Sequence, residues 1–131
     1  MFLENSWEAE VKRIGADITP ISRIASWIDR YDSNTLNVVF ASSEISQCQV
    51  ASDPYKCYAI CFATKEAVGK ALGTGLNGIE WKDIEAYVAR NELSISLHGK
   101  AKVQASRCFI QKWSAAWLFL DEHVLVHVLA Q

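Results

Sequence analysis

The chain has 131 residues, half of them hydrophobic and 21% charged, with a net charge of −2. That size supports one domain with a real core, read as 1–131 with residues 1–10 as a polar N-terminal extension. The charge balance argues against general nucleic-acid binding. No apolar run approaches a membrane span, and the first residues lack the pattern of a secretory signal, so a cytoplasmic protein with no nucleic-acid and no membrane partner is expected.

The elements are read in chain order. Residues 1–10 are a polar lead-in, with Trp7 as a possible docking anchor. Residues 11–18 form a strand that ends at Asp17. Thr19-Pro20 then caps a helix with proline in its first turn. That helix carries Ile21, Ile24, Ala25 and Ile28 at helical spacing, so this face is buried, with Arg23, Trp27 and Arg30 largely on another. Ser42-Ser43-Glu44 opens a short helix. Ser52-Asp53-Pro54 opens a longer one that runs to Leu72 and is stopped by Gly73 and Gly75.

Beyond Gly78 the hydrophobic period changes to two. Residues 84–90 and 93–98 form two strands around a turn at Asn91-Glu92. Residues 99–108 form a short, partly basic helix. Residues 110–120 and 123–130 make a final hairpin around Asp121-Glu122. Strands and helices are largely segregated, which favours an α+β domain with an antiparallel sheet.

Four cysteines occur, Cys48, Cys57, Cys61 and Cys108, with no Cys-x-x-Cys pair. Zinc-ribbon and redox motifs are therefore not indicated. Cys57 and Cys61 lie four apart on the long helix without evident partners, and all four read as buried, reduced thiols. His123 and His127 share one side of a strand but lack a third ligand, and His98 reads as structural. Trp81, Trp113 and Trp117 read as core or interface packing.

The chemistry concentrates in Phe62-Ala63-Thr64-Lys65-Glu66-Ala67-Val68-Gly69-Lys70-Ala71-Leu72-Gly73-Thr74-Gly75. Glu66 and Lys70 fall on one helix face. A carboxylate there suits a hard divalent cation, an ammonium meets phosphate oxygens, and the glycine turn lets backbone N–H groups approach an anion. Together they point to a phosphate ester. A lone Glu-x-x-x-Lys pair is more often a surface salt bridge, so the surrounding motif decides.

Ile14-Gly15-Ala16-Asp17-Ile18, Ile21-Ser22-Arg23-Ile24, the segment from Phe62 to Gly75 and Leu97-His98-Gly99-Lys100-Ala101 occur in an order and spacing that resemble the holo-acyl-carrier-protein synthases, the small class of 4′-phosphopantetheinyl transferases. The resemblance runs from residue 11 to the C-terminus. It implies that family's fold, with an antiparallel sheet packed on a long central helix. It implies transfer of the phosphopantetheine arm of coenzyme A to a serine of an apo acyl carrier protein, with Mg²⁺ as cofactor and a homotrimeric assembly. Carried over by position, Asp17 and Glu66 are the metal ligands, and Asp17, Glu66 and Lys70 the catalytic set. Lys70, Gly73, Thr74, Gly75 and Ser114 face the coenzyme, with Lys65 offered as replacement charge there, and Arg23 docks the carrier, joined by Trp27 and Arg30 one and two turns further along the helix. The base that takes the serine proton is Glu66 or a water on the metal.

Two positions depart from the family pattern. Cys61 stands where arginine is common, and Ser114-Ala115-Ala116-Trp117 replaces a common Ser-x-Ser-His. Both bear on the grip on the nucleotide end of coenzyme A. Two readings follow: an active transferase, dedicated to a carrier of a specialised polyketide or fatty-acid pathway, or a catalytically impaired relative that binds a carrier or serves as a structural subunit.

Overall fold

A computed structural model describes residues 10–131, so the reading of residues 1–9, Trp7 included, lies outside the described residues. The strands are β1 (Arg13–Pro20), β2 (Ile84–Ala89), β3 (Glu92–Leu97), β4 (Trp113–Leu120) and β5 (His123–Ala130). The helices are α1 (Ile21–Arg30), α2 (Ser33–Val39), α3 (Ser42–Gln49), α4 (Pro54–Leu72) and α5 (Gly99–Arg107), with a 3₁₀ turn at Trp81–Asp83. The five strands form one sheet in the order β1-β5-β4-β3-β2, with every neighbouring pair antiparallel. This is the expected α+β arrangement of a sheet on a long helix.

Helix α4 is the axis of the domain. Asp53 caps its start by accepting from the Lys56 N–H at 3.2 Å, and Pro54 occupies the first turn, where no N–H is needed. Gly73 ends it in the left-handed conformation at φ 82°, which glycine adopts without steric cost. From Cys57 to Leu72 every residue is buried except Glu66 and Lys70. A helix covered on nearly all sides carries apolar and small residues around its whole circumference, and this one does.

Strand β1 lies tightly on α4. A Cβ added at Gly15 would sit 2.0 Å from the Ala67 carbonyl oxygen, so only glycine permits this approach. Alternation then sorts the rest of the strand. Gly15 and Thr19 are buried and Asp17 half-buried, whereas Ile14, Ala16 and Ile18 are exposed. The register Ile18↔Leu125↔Leu118 continues this outer face across β5 and β4. Ile14, Ile18, Leu118 and Leu120 are 68%, 57%, 54% and 46% exposed there.

The clearest differences from the expectation lie at the end of β1, the start of α1 and α2. Strand β1 runs on past Asp17 to Pro20, because its pairing with β5 continues to Pro20↔His123. Pro20 is consequently the residue before α1 and not in its first turn, and the Ile21 N–H makes the next bond, to Glu122 O at 2.9 Å. Helix α2 was not expected. Its short Ser-Asn-Thr-Leu-Asn-Val-Val sequence has weak helix formers and no apolar stripe, and it starts because Asp32 accepts from the Thr35 N–H at 2.9 Å.

Candidate active site

The two half-exposed positions of α4 meet the middle of β1. Lys70 Nζ lies 3.2 Å from Asp17 Oδ1 and donates to the Ala16 carbonyl at 3.1 Å. Thr19 Oγ1 donates to the other carboxylate oxygen, Asp17 Oδ2, at 2.5 Å. The Asp17 side chain is 15% exposed and Lys70 55%, so the pair sits at the rim of the core. An ion pair this open contributes little to stability, and its lysine is free to turn to another anion.

Glu66 shares this environment. Burial first, and then the Asp17 carboxylate, push its carboxyl above the ordinary range, while the Lys70 and Arg23 charges oppose them. Two carboxylates that repel each other suit a bound cation. Their all-oxygen donor set fits Mg²⁺, which takes one or two protein carboxylates and completes its shell with phosphates and water. Asp17 and Lys70, far apart in the chain, thus meet at 3.2 Å, and Glu66 feels the charge of both.

The turn after α4 folds back onto the helix. The Gly75 N–H donates to Gly69 O at 2.9 Å, and a Cβ on Gly69 would sit 2.9 Å from the Gly75 backbone. Gly73, Thr74 and Gly75 are accessible, and Thr74 and Gly78 also border a cavity of about 370 Å³ that Lys100, Gln104 and Arg107 line on the α5 side. Lys100 belongs to the motif quoted from the sequence, whereas Gln104 and Arg107 were not singled out there.

Two of the expected site residues lie elsewhere in character. Lys65 is completely buried. Its ammonium binds Glu44 Oε1 at 2.7 Å and the carbonyls of Trp81 at 3.1 Å and Ile84 at 2.5 Å. All three of its donors are used inside the protein, so it does not face the coenzyme as expected. One residue along a helix turns the side chain by about 100°, which separates Lys65 from Glu66. Ser114 lies on β4, two strands from β1, and donates to Gln131 Oε1 at 3.1 Å.

On α1, Arg23 and Arg30 are exposed, and Arg23 is close enough to act on the Glu66 carboxyl. Trp27 does not share their face. Its ring packs edge-on against Phe62 at 5.1 Å, and Phe62 stacks on Trp81 at 5.0 Å. The expected aromatic anchor is thus half-buried against the core. Cys61 is fully buried beside Cys48, so the residue standing at the family's arginine position points inward. Cys48 is the sequence-distant partner that the Cys57–Cys61 pair lacked in the sequence reading. His98 Nε2 pairs with Glu85 Oε1 at 2.8 Å. Among the described residues no helix is long and apolar enough to cross a membrane.

The model of the 4′-phosphopantetheinyl transferase superfamily matches residues 13–125. A holo-[acyl-carrier-protein] synthase of Chlamydia pneumoniae is 38% identical over 104 residues, 77% of this chain and 85% of that protein. One from Gloeobacter violaceus is 35% identical over 119 residues, 88% of this chain and 89% of that protein. Among solved structures, the Helicobacter pylori holo-[acyl-carrier-protein] synthase in complex with coenzyme A superposes with a TM-score of 0.75 at 28% identity, covering 90% of this chain and 99% of that one. The Neisseria meningitidis enzyme shares the fold, with a TM-score of 0.81 at 22% identity over 93% of this chain and 99% of that one. With the family model spanning β1 to β5 and the Asp17–Glu66–Lys70 cluster inside it, the chain belongs to the 4′-phosphopantetheinyl transferase superfamily.

Proposed function

We propose that this chain is a holo-acyl-carrier-protein synthase, which moves the 4′-phosphopantetheine arm of coenzyme A onto a serine hydroxyl of an apo acyl carrier protein. The observation that carries the reading is the convergence of Lys70 and Asp17 at 3.2 Å, with Glu66 in the same electrostatic field. The serine oxygen attacks the phosphorus that bears the pantetheine arm, and the bond to the bridging oxygen breaks. Adenosine 3′,5′-bisphosphate leaves with that oxygen. Glu66, in the same electrostatic field as Asp17 and Lys70, is the carboxylate placed to take the serine proton. Lys70 turns from Asp17 to the diphosphate and balances the charge that grows on the leaving group. The accessible Gly73-Thr74-Gly75 turn lies beside it to receive phosphate oxygens.

Asp17 and Glu66 would hold the Mg²⁺ of such a reaction. Bound there, the ion supplies charge neutralisation on the diphosphate and alignment of the attack. Arg23 and Arg30 offer an exposed cationic ridge to an acidic carrier helix. Arg23 does so within reach of Glu66, which brings the docked serine near the base. The apolar outer face of β1, β5 and β4 is the contact through which protomers assemble as a homotrimer.

The impaired-relative reading draws on Cys61, whose buried thiol offers the coenzyme no charge. Mass spectrometry separates the two. Incubation with coenzyme A, Mg²⁺ and a panel of apo carrier proteins, including any encoded beside this gene, is expected to add one phosphopantetheine to a carrier. Absence of that mass gain on every carrier defeats the transferase reading. Glu66→Gln is expected to abolish transfer while leaving carrier binding measurable, and unchanged turnover would remove Glu66 from its role.

A further inference from the structure

The transferase chemistry makes no use of a compact thiol cluster at the other end of α4. Cys48 lies in the last turn of α3, and Cys57 and Cys61 lie one turn apart near the start of α4. Cys48 Sγ is 2.8 Å from Cys57 Sγ and 3.9 Å from Cys61 Sγ, and all three sulfurs fall within 4.8 Å of one another. Sulfurs that share a tetrahedral zinc ion lie about 3.8 Å apart, as a Zn–S bond of about 2.3 Å requires. The cluster brackets that spacing.

Single cysteines serve often as small apolar filler. Here three of them, from two helices, converge on one point, and their surroundings are graded. Cys48 and Cys61 are fully buried, whereas Cys57 retains 8% exposure and borders a cavity of about 360 Å³ with Gln47, Lys56, Ile60 and Trp117. An ion has a route in through Cys57, and a water from the cavity can occupy a fourth position.

The donor set decides the class of ion. Among the described residues no carboxylate or imidazole joins the cluster. Glu44, one turn before Cys48, is committed to Lys65 and to the Ala41 and Ala86 N–H groups. Three sulfurs reject hard cations such as Mg²⁺ and select thiophilic ones. In so dry a site, three thiolates around a divalent ion leave one net negative charge, half of what a monovalent ion would leave. We propose that Cys48, Cys57 and Cys61 bind one Zn²⁺ as thiolates, with the fourth position open to the cavity beside Cys57. The bound ion clamps α3 to α4, and each thiol releases its proton to solvent as its Zn–S bond forms.

The test uses the full chain, reduced with a phosphine that does not chelate metal. With Zn²⁺ added and excess removed, one zinc per chain is expected by elemental analysis. Co²⁺ in its place is expected to give intense near-ultraviolet sulfur-to-cobalt charge transfer and the strong visible bands of a tetrahedral ion. Cys61→Ser should lose both signals. Cys108→Ser, which lies outside the cluster, should keep them. A cobalt spectrum of the unaltered chain without thiolate charge transfer overturns the proposal, and this readout stands even if Cys61→Ser fails to fold. Retention of full zinc by a folded Cys61→Ser chain also overturns it.

Discussion

Replacing Lys65 by methionine tests whether this lysine belongs to the core or to the coenzyme. Its ammonium is bound by Glu44 at 2.7 Å and by the carbonyls of Trp81 and Ile84, with no exposed atom. Methionine keeps the stem and removes the charge. Glu44 then keeps only its bonds from the Ala41 and Ala86 N–H groups, each at 2.8 Å, and two carbonyls lose a donor. Breaking one side of a buried pair costs roughly 3–5 kcal/mol. For a domain of this size each kcal/mol lowers the melting temperature by roughly 3–5 °C, so a drop on the order of 10–20 °C is expected. The pH dependence carries a definite sign. Burial already raises the Glu44 carboxyl despite Lys65, and without Lys65 it rises further. A raised carboxyl favours the folded state at low pH and loses that advantage as pH climbs from the unfolded toward the folded value. The deficit of Lys65→Met should therefore be smaller at acid than at neutral pH, and the double change with Glu44→Gln should recover part of it. Thermal melts at several pH values, with the KM for coenzyme A measured below the transition, give the answer. A chain that melts within a few degrees of the original but binds coenzyme A tenfold more weakly would refute the core assignment.

Other consequences are equally direct. Asp17→Asn removes a like charge beside Glu66, so the Glu66 carboxyl should titrate at lower pH than in the unaltered chain by NMR; an unmoved titration would show that the two do not share a field. Arg23→Glu should weaken apo-carrier binding about tenfold or more at low salt, an effect that fades as salt rises; an unaltered dissociation constant at low ionic strength would take Arg23 out of the docking surface. Gly15→Ala should destabilise the domain by at least about 1–3 kcal/mol, because its Cβ meets the Ala67 carbonyl oxygen at 2.0 Å and backbone yields less easily than side chains. A melting temperature within a degree of the original would contradict so close a packing of β1 on α4.

Local signals carried much of the fold. Asp53-Pro54 and Gly73 bound α4 because caps and stops act within a few residues, and period-two hydrophobicity located the hairpins. The Asp17–Lys70 meeting was legible only through the family motif, since nothing local in either segment specifies the other. Where the reading failed, the cause was tertiary. Lys65 sits in the same motif as Glu66, but its fate depends on Glu44, 21 residues earlier, which no periodicity links to it. Trp27 was placed with the arginines of α1 because spacing alone does not reveal Phe62 waiting on α4. Cys48 joins Cys57 and Cys61 only once α3 is laid against α4. Helix α2 escaped because its residues lack both propensity and stripe, and a single aspartate cap starts it.

The two sides of β1 leave it no latitude in length. Asp17 turns toward α4 while Ile14 and Ile18 turn away, with no spare residue between the duties. Deleting one amino acid before Asp17 would carry the acid to the greasy exterior and turn Ile18 toward α4. The acid of the site and the exposed apolar side chains are thus written in alternate letters of the same eight-residue word, and neither can drift without garbling the other.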